Sequence, residues 1–247
     1  MKFIRLIPIL LVLALLTGAL AQAENAQADL QARFGGQATW EYEGKNYCVK
    51  KRLSTMLAAI CKEEELLLAY LVAVDDNARR IVPIALDVQA SLLSPNGDTL
   101  ANLYGEHCAP AENSLSQADS DALRLLEAVN QLFPEPLVES YLIFSAEGLD
   151  LLDGGREPDP ALSPAENAKA RAKAVGKELM AASGSQQMDA VNLVSPYLTS
   201  DVKTGAMVKL ADKATRYEIV DTLWINSSGD DSINEICMEY FYDESAW

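Results

Sequence analysis

One histidine, His107, stands in the whole 247-residue chain. That scarcity removes most nucleophile triads built on an imidazole base, and the two-histidine zinc helix HExxH with them. The GxSxG turn and the GxxxxGK[ST] phosphate loop are absent as well. Cys108 follows His107, yet adjacent residues point in different directions, so "YGEHCAP" reads as a loop rather than a nucleophile pair. Cations are the next shortage: 20 Lys and Arg stand against 36 Asp and Glu, a net charge of −16. A surface this acidic repels nucleic acid and anionic lipid headgroups, because polyanion binding depends on clustered Lys and Arg. Nucleic acid is thereby excluded as a partner.

Long apolar runs are scarce too, and the one that exists lies at the start. Lys2 and Arg5, then "LIPILLVLALLTGAL", then "AQA" at Ala21 to Ala23, form the three regions of a secretory signal spanning residues 1–23. The run is shorter than the roughly 20 residues of a spanning helix. Cleavage before Glu24 is expected, with an uncleaved N-terminal anchor as the alternative. Residues 24–247 then work outside the cytoplasm, secreted or held at the envelope, with a charge of 18 − 36 = −18. Cys48, Cys61, Cys108 and Cys237 all follow the signal, none at zinc-finger spacing. An even count outside the cytoplasm suggests up to two disulfides, with the pairing open.

What is present is a series of strand and helix patterns. "ATWEYEGKNYCVKKRL" alternates around Glu43-Gly44, a hairpin signal. "STMLAAICK", "ELLLAYLVAVDD" and "RRIVPIALDVQASLLS" are apolar runs parted by tight turns, the pattern of central strands covered on both faces. In "SQADSDALRLLEAVNQLF", Leu123, Leu126, Val129 and Phe133 share one helical face. "LVESYLIFS" is a further strand and "AEGLDLLDGG" a short helix ending on glycines. After the proline-rich "REPDPALSP", the sequence predicts helices at "AENAKARAKAVGKELMAAS", "MDAVNLVSPYL" and "KTGAMVKLADKAT". "YEIVDTLWI" reads as a strand, and "EICMEYFYDESAW" as either a strand or a closing helix. The class is α/β, a mixed central sheet between helical layers. "KEEE" at Lys62 to Glu65 and "VDDN" at Val74 to Asn77 read as solvated turns.

In this order the segments resemble the LytR-CpsA-Psr family. "WEYEGKNYCVKKRLSTML" is similar to a "Y-x-GK-x-Y … L-T-x-L" start, and "LVAVDDNARRIVPIALD" to the family's "LVSIDPKTKKVSLISIPRD". "NLYGEHC" and "LRLLEAVNQLFPEPLVESYLIFSAEGLDLLDGG" resemble its helix, strand and "LVDALGG" series. The resemblance covers roughly Trp40 to Gly155 and, more loosely, the helices after Pro164. It implies an α/β/α sandwich over residues 24–247, shortened after residue 155. It also implies an extracytoplasmic role in cell-wall assembly, where family members transfer glycopolymers from a polyprenyl pyrophosphate carrier to peptidoglycan with magnesium.

The departures fall on the active site. The family's magnesium-binding "SDT" matches Leu66-Leu67-Leu68, and leucine offers no oxygen to a hard cation. Its "PRD" matches Ala85-Leu86-Asp87, so the pyrophosphate-binding arginine is replaced by Leu86 and only the aspartate remains. Arg171, in "AKARAKAV", is the candidate for a helix arginine that binds ligand, with a solvated helix face as its other reading. Asp87 is then expected to be a relic, and the protein a degenerate accessory or binding member with a polyprenyl-linked glycan or wall component as partner. The alternatives are an active glycopolymer transferase with a rebuilt site, and an unrelated secreted α/β binding domain. On this reading Leu86→Arg alone stays nearly inactive, and Leu86→Arg joined to Leu67→Asp does better if the fold forms a tunnel.

Overall fold

The computed structural model describes residues 39–90, 99–104, 117–133, 137–182, 184–202, 213–214, 216–225 and 230–244. The signal segment, Cys108, His107 and most of the helix expected at "KTGAMVKLADKAT" lie outside these residues.

The expected hairpin forms from β1 (Thr39–Tyr42) and β2 (Lys45–Val49). Its two-residue turn places Glu43 and Gly44 at φ 50° and 75°, the left-handed pair such a turn demands. The three apolar runs become β3 (Leu53–Lys62), β4 (Glu65–Asp75) and β5 (Arg80–Leu86), an antiparallel meander buried along almost its whole length. The chain then crosses over through α1 (Leu100–Leu103) and α2 (Gln117–Asn130) to β6 (Ser140–Ser145), which pairs parallel to β3. Asn130, the last residue of α2, fixes the way into β6. Its side-chain oxygen accepts from the amides of Leu137 and Val138 at 2.8 and 2.7 Å.

Below the other face of the sheet lie α3 (Ala146–Leu152), α4 (Pro164–Ala181) and α5 (Gly184–Val194). Gly148 lets α3 sit close, since a Cβ there would meet the Phe144 ring at 2.7 Å. β7 (Leu198–Ser200) closes one edge of the sheet against β6. The tail is both helix and strand: α6 (Asp230–Ile236), a wide helical turn over Cys237–Phe241, and β10 (Tyr242–Glu244), which pairs with β2.

The single strand expected at "YEIVDTLWI" is two strands, β8 (Glu218–Ile219) and β9 (Leu223–Ile225), each parallel to β5. Pro83 accounts for the break. Arg79 and Ile81 of the β5 segment accept from Glu218 and Val220, and the Asp87 amide donates to Ile225. Odd-numbered residues of β5 therefore face this neighbour, and at position 83 proline has no N–H to offer.

Strand alternation sends Leu57, Ala59, Leu71, Ala73, Val82, Ile84 and Leu86 to the face under α1, α2 and α6. Met56, Ala58, Tyr70, Val72, Ile81 and Ala85 face the opposite side, with Ile60, Leu67 and Phe144 packing there on Ala168, Ala172 and Val175 of α4. The mixed sheet between helical layers is the architecture expected. In α2 the buried stripe is broader than the sequence suggests, with Ala122, Leu125, Leu126 and Val129 innermost and Leu123 only packed against the edge.

Two smaller expectations change. Cys48, Cys61 and Cys237 are free thiols, so two disulfides do not form; Cys61 and Cys237 are buried in the main core as small hydrophobes. "VDDN" is not a merely solvated turn. Asp75 is buried and accepts from the amides of Asn77 and Ala78 at 2.8 and 2.9 Å, while Asp76 pairs with Lys213 at 2.7 Å.

Candidate functional site

β3, β5, β6 and β9 run parallel to one another, so their C-terminal ends share one end of the sheet. Open α/β sheets bind ligands at such an end. Here it carries the turn between β3 and β4, the residue after β5, the start of α3 and the end of β9.

Asp87 follows β5 at this end and is half-buried. Its carboxylate accepts from the Gln89 amide at 3.1 Å, its carbonyl from the Ala90 amide at 3.3 Å. Its own amide donates to Ile225 at 3.1 Å. Among the described residues the Asp87 carboxylate serves the turn that leaves the sheet, the local role short Asp side chains take in turns, while its amide ties that turn to β9.

The three leucines at the matched metal position lie across a β-bulge. Ile60 pairs with Leu68 and Cys61 with Leu66, leaving Leu67 as the extra residue on β4. The bulge sends Leu66 to the α2 face and Leu67 to the α4 face, where they are 1% and 4% exposed. Beside Leu66 the surroundings are dry: burial pushes the Cys61 thiol up, more than its hydrogen bond with Tyr104 brings it down. Leu86 is buried on the α2 face with Leu66. These positions do not fit magnesium, which wants oxygen donors. Among the described residues no trio of Asp, Glu, Cys and His converges as a metal site.

This geometry corrects one expectation. Leu67 and Leu86 lie on opposite faces of the sheet, so an aspartate at 67 and an arginine at 86 would not meet. Leu66, which shares the α2 face with Leu86, is the position from which a carboxylate could cooperate.

Arg171 sits on α4, away from any solvated face, with its side chain 14% exposed. Its Nε reaches Asp153 Oδ2 at 2.5 Å and one terminal nitrogen reaches Asp153 Oδ1 at 3.0 Å, a two-pronged pair. The same terminal nitrogen also pairs with Asp150. Asp153 accepts further from the amides of Gly155 and Arg156, both at 3.2 Å. Burial works to raise the Asp153 carboxyl, but the Arg171 hydrogen bond and charge, together with the amides of Arg156 and Gly155, hold the group below its ordinary value. The side chains come from "LDLLDGG" and "AKARAKAV", so two stretches that carry the resemblance are clamped together. The structure records no contact between Arg171 and Asp87. Each has its partners nearby.

One residue pair went unread in the sequence. Trp224 on β9 is the most exposed large apolar side chain described, at 55%, and the Lys169 ammonium stands 4.8 Å from its ring centre. Nothing in the two separate segments signals this cation–π contact, because β9 pairs with β5 and α4 packs beneath through tertiary structure alone.

No family model matches the chain, and no curated protein does. Among solved structures the chain is similar to a transcriptional regulator from Enterococcus faecalis, at 15% identity and a TM-score of 0.48, over 71% of this chain and 76% of that one. It is similar to TagT bound to LI-WTA at 9% identity and a TM-score of 0.47, over 75% of this chain and 88% of that one. TagV of B. subtilis is similar at 12% identity and a TM-score of 0.45, over 72% and 85%.

Proposed function

We propose that this chain is an extracytoplasmic cell-envelope protein of LytR-CpsA-Psr type that binds a wall glycopolymer or its polyprenyl-linked carrier without transferring it. The sequence resemblance supports the cell-envelope assignment. One observation supports the loss of catalysis: Leu66, Leu67 and Leu86 are packed into core where the resemblance asks for metal oxygens and a guanidinium. Transfer from a pyrophosphate depends on neutralising charge as it develops. Without the metal and the arginine the barrier rises by several kcal/mol, a loss on the order of 10³-fold in rate. Asp87 is then a relic that serves its turn, and Arg171 a clamp between α3 and α4 rather than a ligand for phosphate.

Equilibrium binding of a polyprenyl-phosphate-linked glycan, measured with magnesium and with a chelator, tests this reading. The expected result is binding that is equal in both and unchanged by Asp87→Asn. Binding that requires magnesium, or no binding in either condition, would overturn it.

A further inference from the structure

One exposed apolar side chain is ordinary on a folded surface. Trp224 differs in how it is held. On the α4 face of the sheet, strand register lines up Leu142, Ala58, Tyr70, Ala85 and Trp224, one residue from each of β6, β3, β4, β5 and β9. The first four are buried, and the row ends on a tryptophan that is more than half exposed. Its neighbour Ile225 is fully buried, and the Ile225 carbonyl accepts from the Asp87 amide at 3.1 Å. The indole is therefore a plate fixed on a strand, at the outer edge of the end where β3, β5, β6 and β9 finish. Open α/β sheets bind ligands at that end.

The second observation is the charge around the ring, which is of both signs. Lys169 Nζ stands 4.8 Å from the ring centre, and among the described residues no ion pair holds it. Glu166, one turn earlier on α4, feels the Lys169 charge, while its carboxylate accepts from the amide and hydroxyl of Ser163 at 2.9 and 2.8 Å. Asp221, exposed on the link between β8 and β9, lies three residues before Trp224. A phosphate placed on the ring would be drawn to Lys169 and repelled by Glu166 and Asp221.

A neutral sugar avoids that conflict. The C–H face of a pyranose carries small positive charges and suits the negative face of an indole. Its rim of hydroxyls both donates and accepts, so an ammonium that only donates and a carboxylate that only accepts each have a partner on it. Exposed aromatic area flanked by a few polar groups that set orientation is the composition of a small-ligand site.

We propose that Trp224 is a stacking platform for a neutral pyranose ring, with Lys169 donating to the sugar's hydroxyl oxygens and Asp221 accepting from its hydroxyls. The platform deepens the binding role proposed above. It rests on that reading only for the source of the sugar, a wall glycan held by its rings rather than by its carrier phosphate.

Indole N–H resonances of the full chain, titrated with the neutral tetrasaccharides chitotetraose, cellotetraose and mannotetraose, test it. At least one sugar should move the Trp224 resonance and leave that of Trp40 in place. Binding followed on the sugar's own resonances should weaken roughly tenfold in Trp224→Ala and recover in part in Trp224→Phe, with the melting temperature unchanged in both. Lys169→Met, which keeps the stem and removes the ammonium, should weaken it by a smaller factor. A Trp224 resonance that no sugar moves, or binding as tight in Trp224→Ala as in the native chain, would overturn the proposal. A larger response to inorganic phosphate than to any of the sugars would overturn it equally. Sugar binding at Trp224 without binding of a polyprenyl-linked glycan would support the platform and remove the carrier-linked ligand. Full-strength binding of that glycan by Trp224→Ala would keep the ligand and overturn the platform.

Discussion

The two ends of the central sheet are built from the same strands and differ in what their turns carry. At the Asp87 end, the bulge on β4 turns Leu66 and Leu67 into opposite core faces, and the polar groups that remain serve local structure. At the other end, arginines hold left-handed backbone positions and stay exposed. The positions matched by the order of segments are filled with hydrocarbon, while the opposite end keeps Arg52 and Arg79 exposed. The same strands end in dry core at one end and in exposed charged turns at the other, and the order of segments alone does not tell the two apart.

The largest way to break this comparison is to place charge where the core holds leucine. Leu67→Asp buries an unpaired carboxylate beside Phe144 and Val175, and should cost about 4 kcal/mol or more, lowering the melting temperature by roughly 10 °C. Leu66→Asp joined to Leu86→Arg places both groups on one face and should be less damaging than the sum of the single changes. Thermal melts of the singles and the double read both points. Additive losses would show that the α2 face cannot form the pair.

Next in size is the clamp. Arg171→Ala strands the Asp153 carboxylate, whose side chain is 2% exposed, and should cost about 3 kcal/mol in denaturant unfolding. A solvated helix-face arginine would cost close to nothing. The clamp also has a pH signature. The folded Asp153 carboxyl is held below its ordinary 3.8, so its contribution is present above the unfolded value and is lost as pH falls through the lower folded value. Stability of the native chain should therefore fall more steeply below about pH 4 than that of Arg171→Ala, which unfolding midpoints across acid pH would reveal.

The smallest expected effect is at the turns. Arg52→Asn, Arg79→Asn and Glu63→Asn each relieve a left-handed residue and should stabilise by about 0.5 kcal/mol. Thermal melts of the three variants read this.

Much of the fold was legible because its strands are long apolar runs with turn residues between them. β3 and β4 follow "STMLAAICK" and "ELLLAYLVAVDD" closely, while β5 takes only Arg80–Leu86 of the longer run "RRIVPIALDVQASLLS". The break between β8 and β9 was not, because its cause, Pro83, lies on a neighbouring strand. The candidate site was legible in part. Leu66, Leu67, Leu86 and Asp87 could be named from order and spacing, but a bulge decides which face each side chain takes, and no local pattern marked it. The role of Arg171 depended on Asp150 and Asp153, which a proline-rich linker separates from it in sequence and helix packing brings back.

The central claim is that the Asp87 end no longer transfers phosphate. It is tested most directly by incubating the purified full chain with a polyprenyl pyrophosphate and magnesium and measuring the release of polyprenyl phosphate. The account predicts no release above the rate without protein, and none that Asp87→Ala removes. Clear magnesium-dependent turnover, abolished by Asp87→Ala, would contradict it.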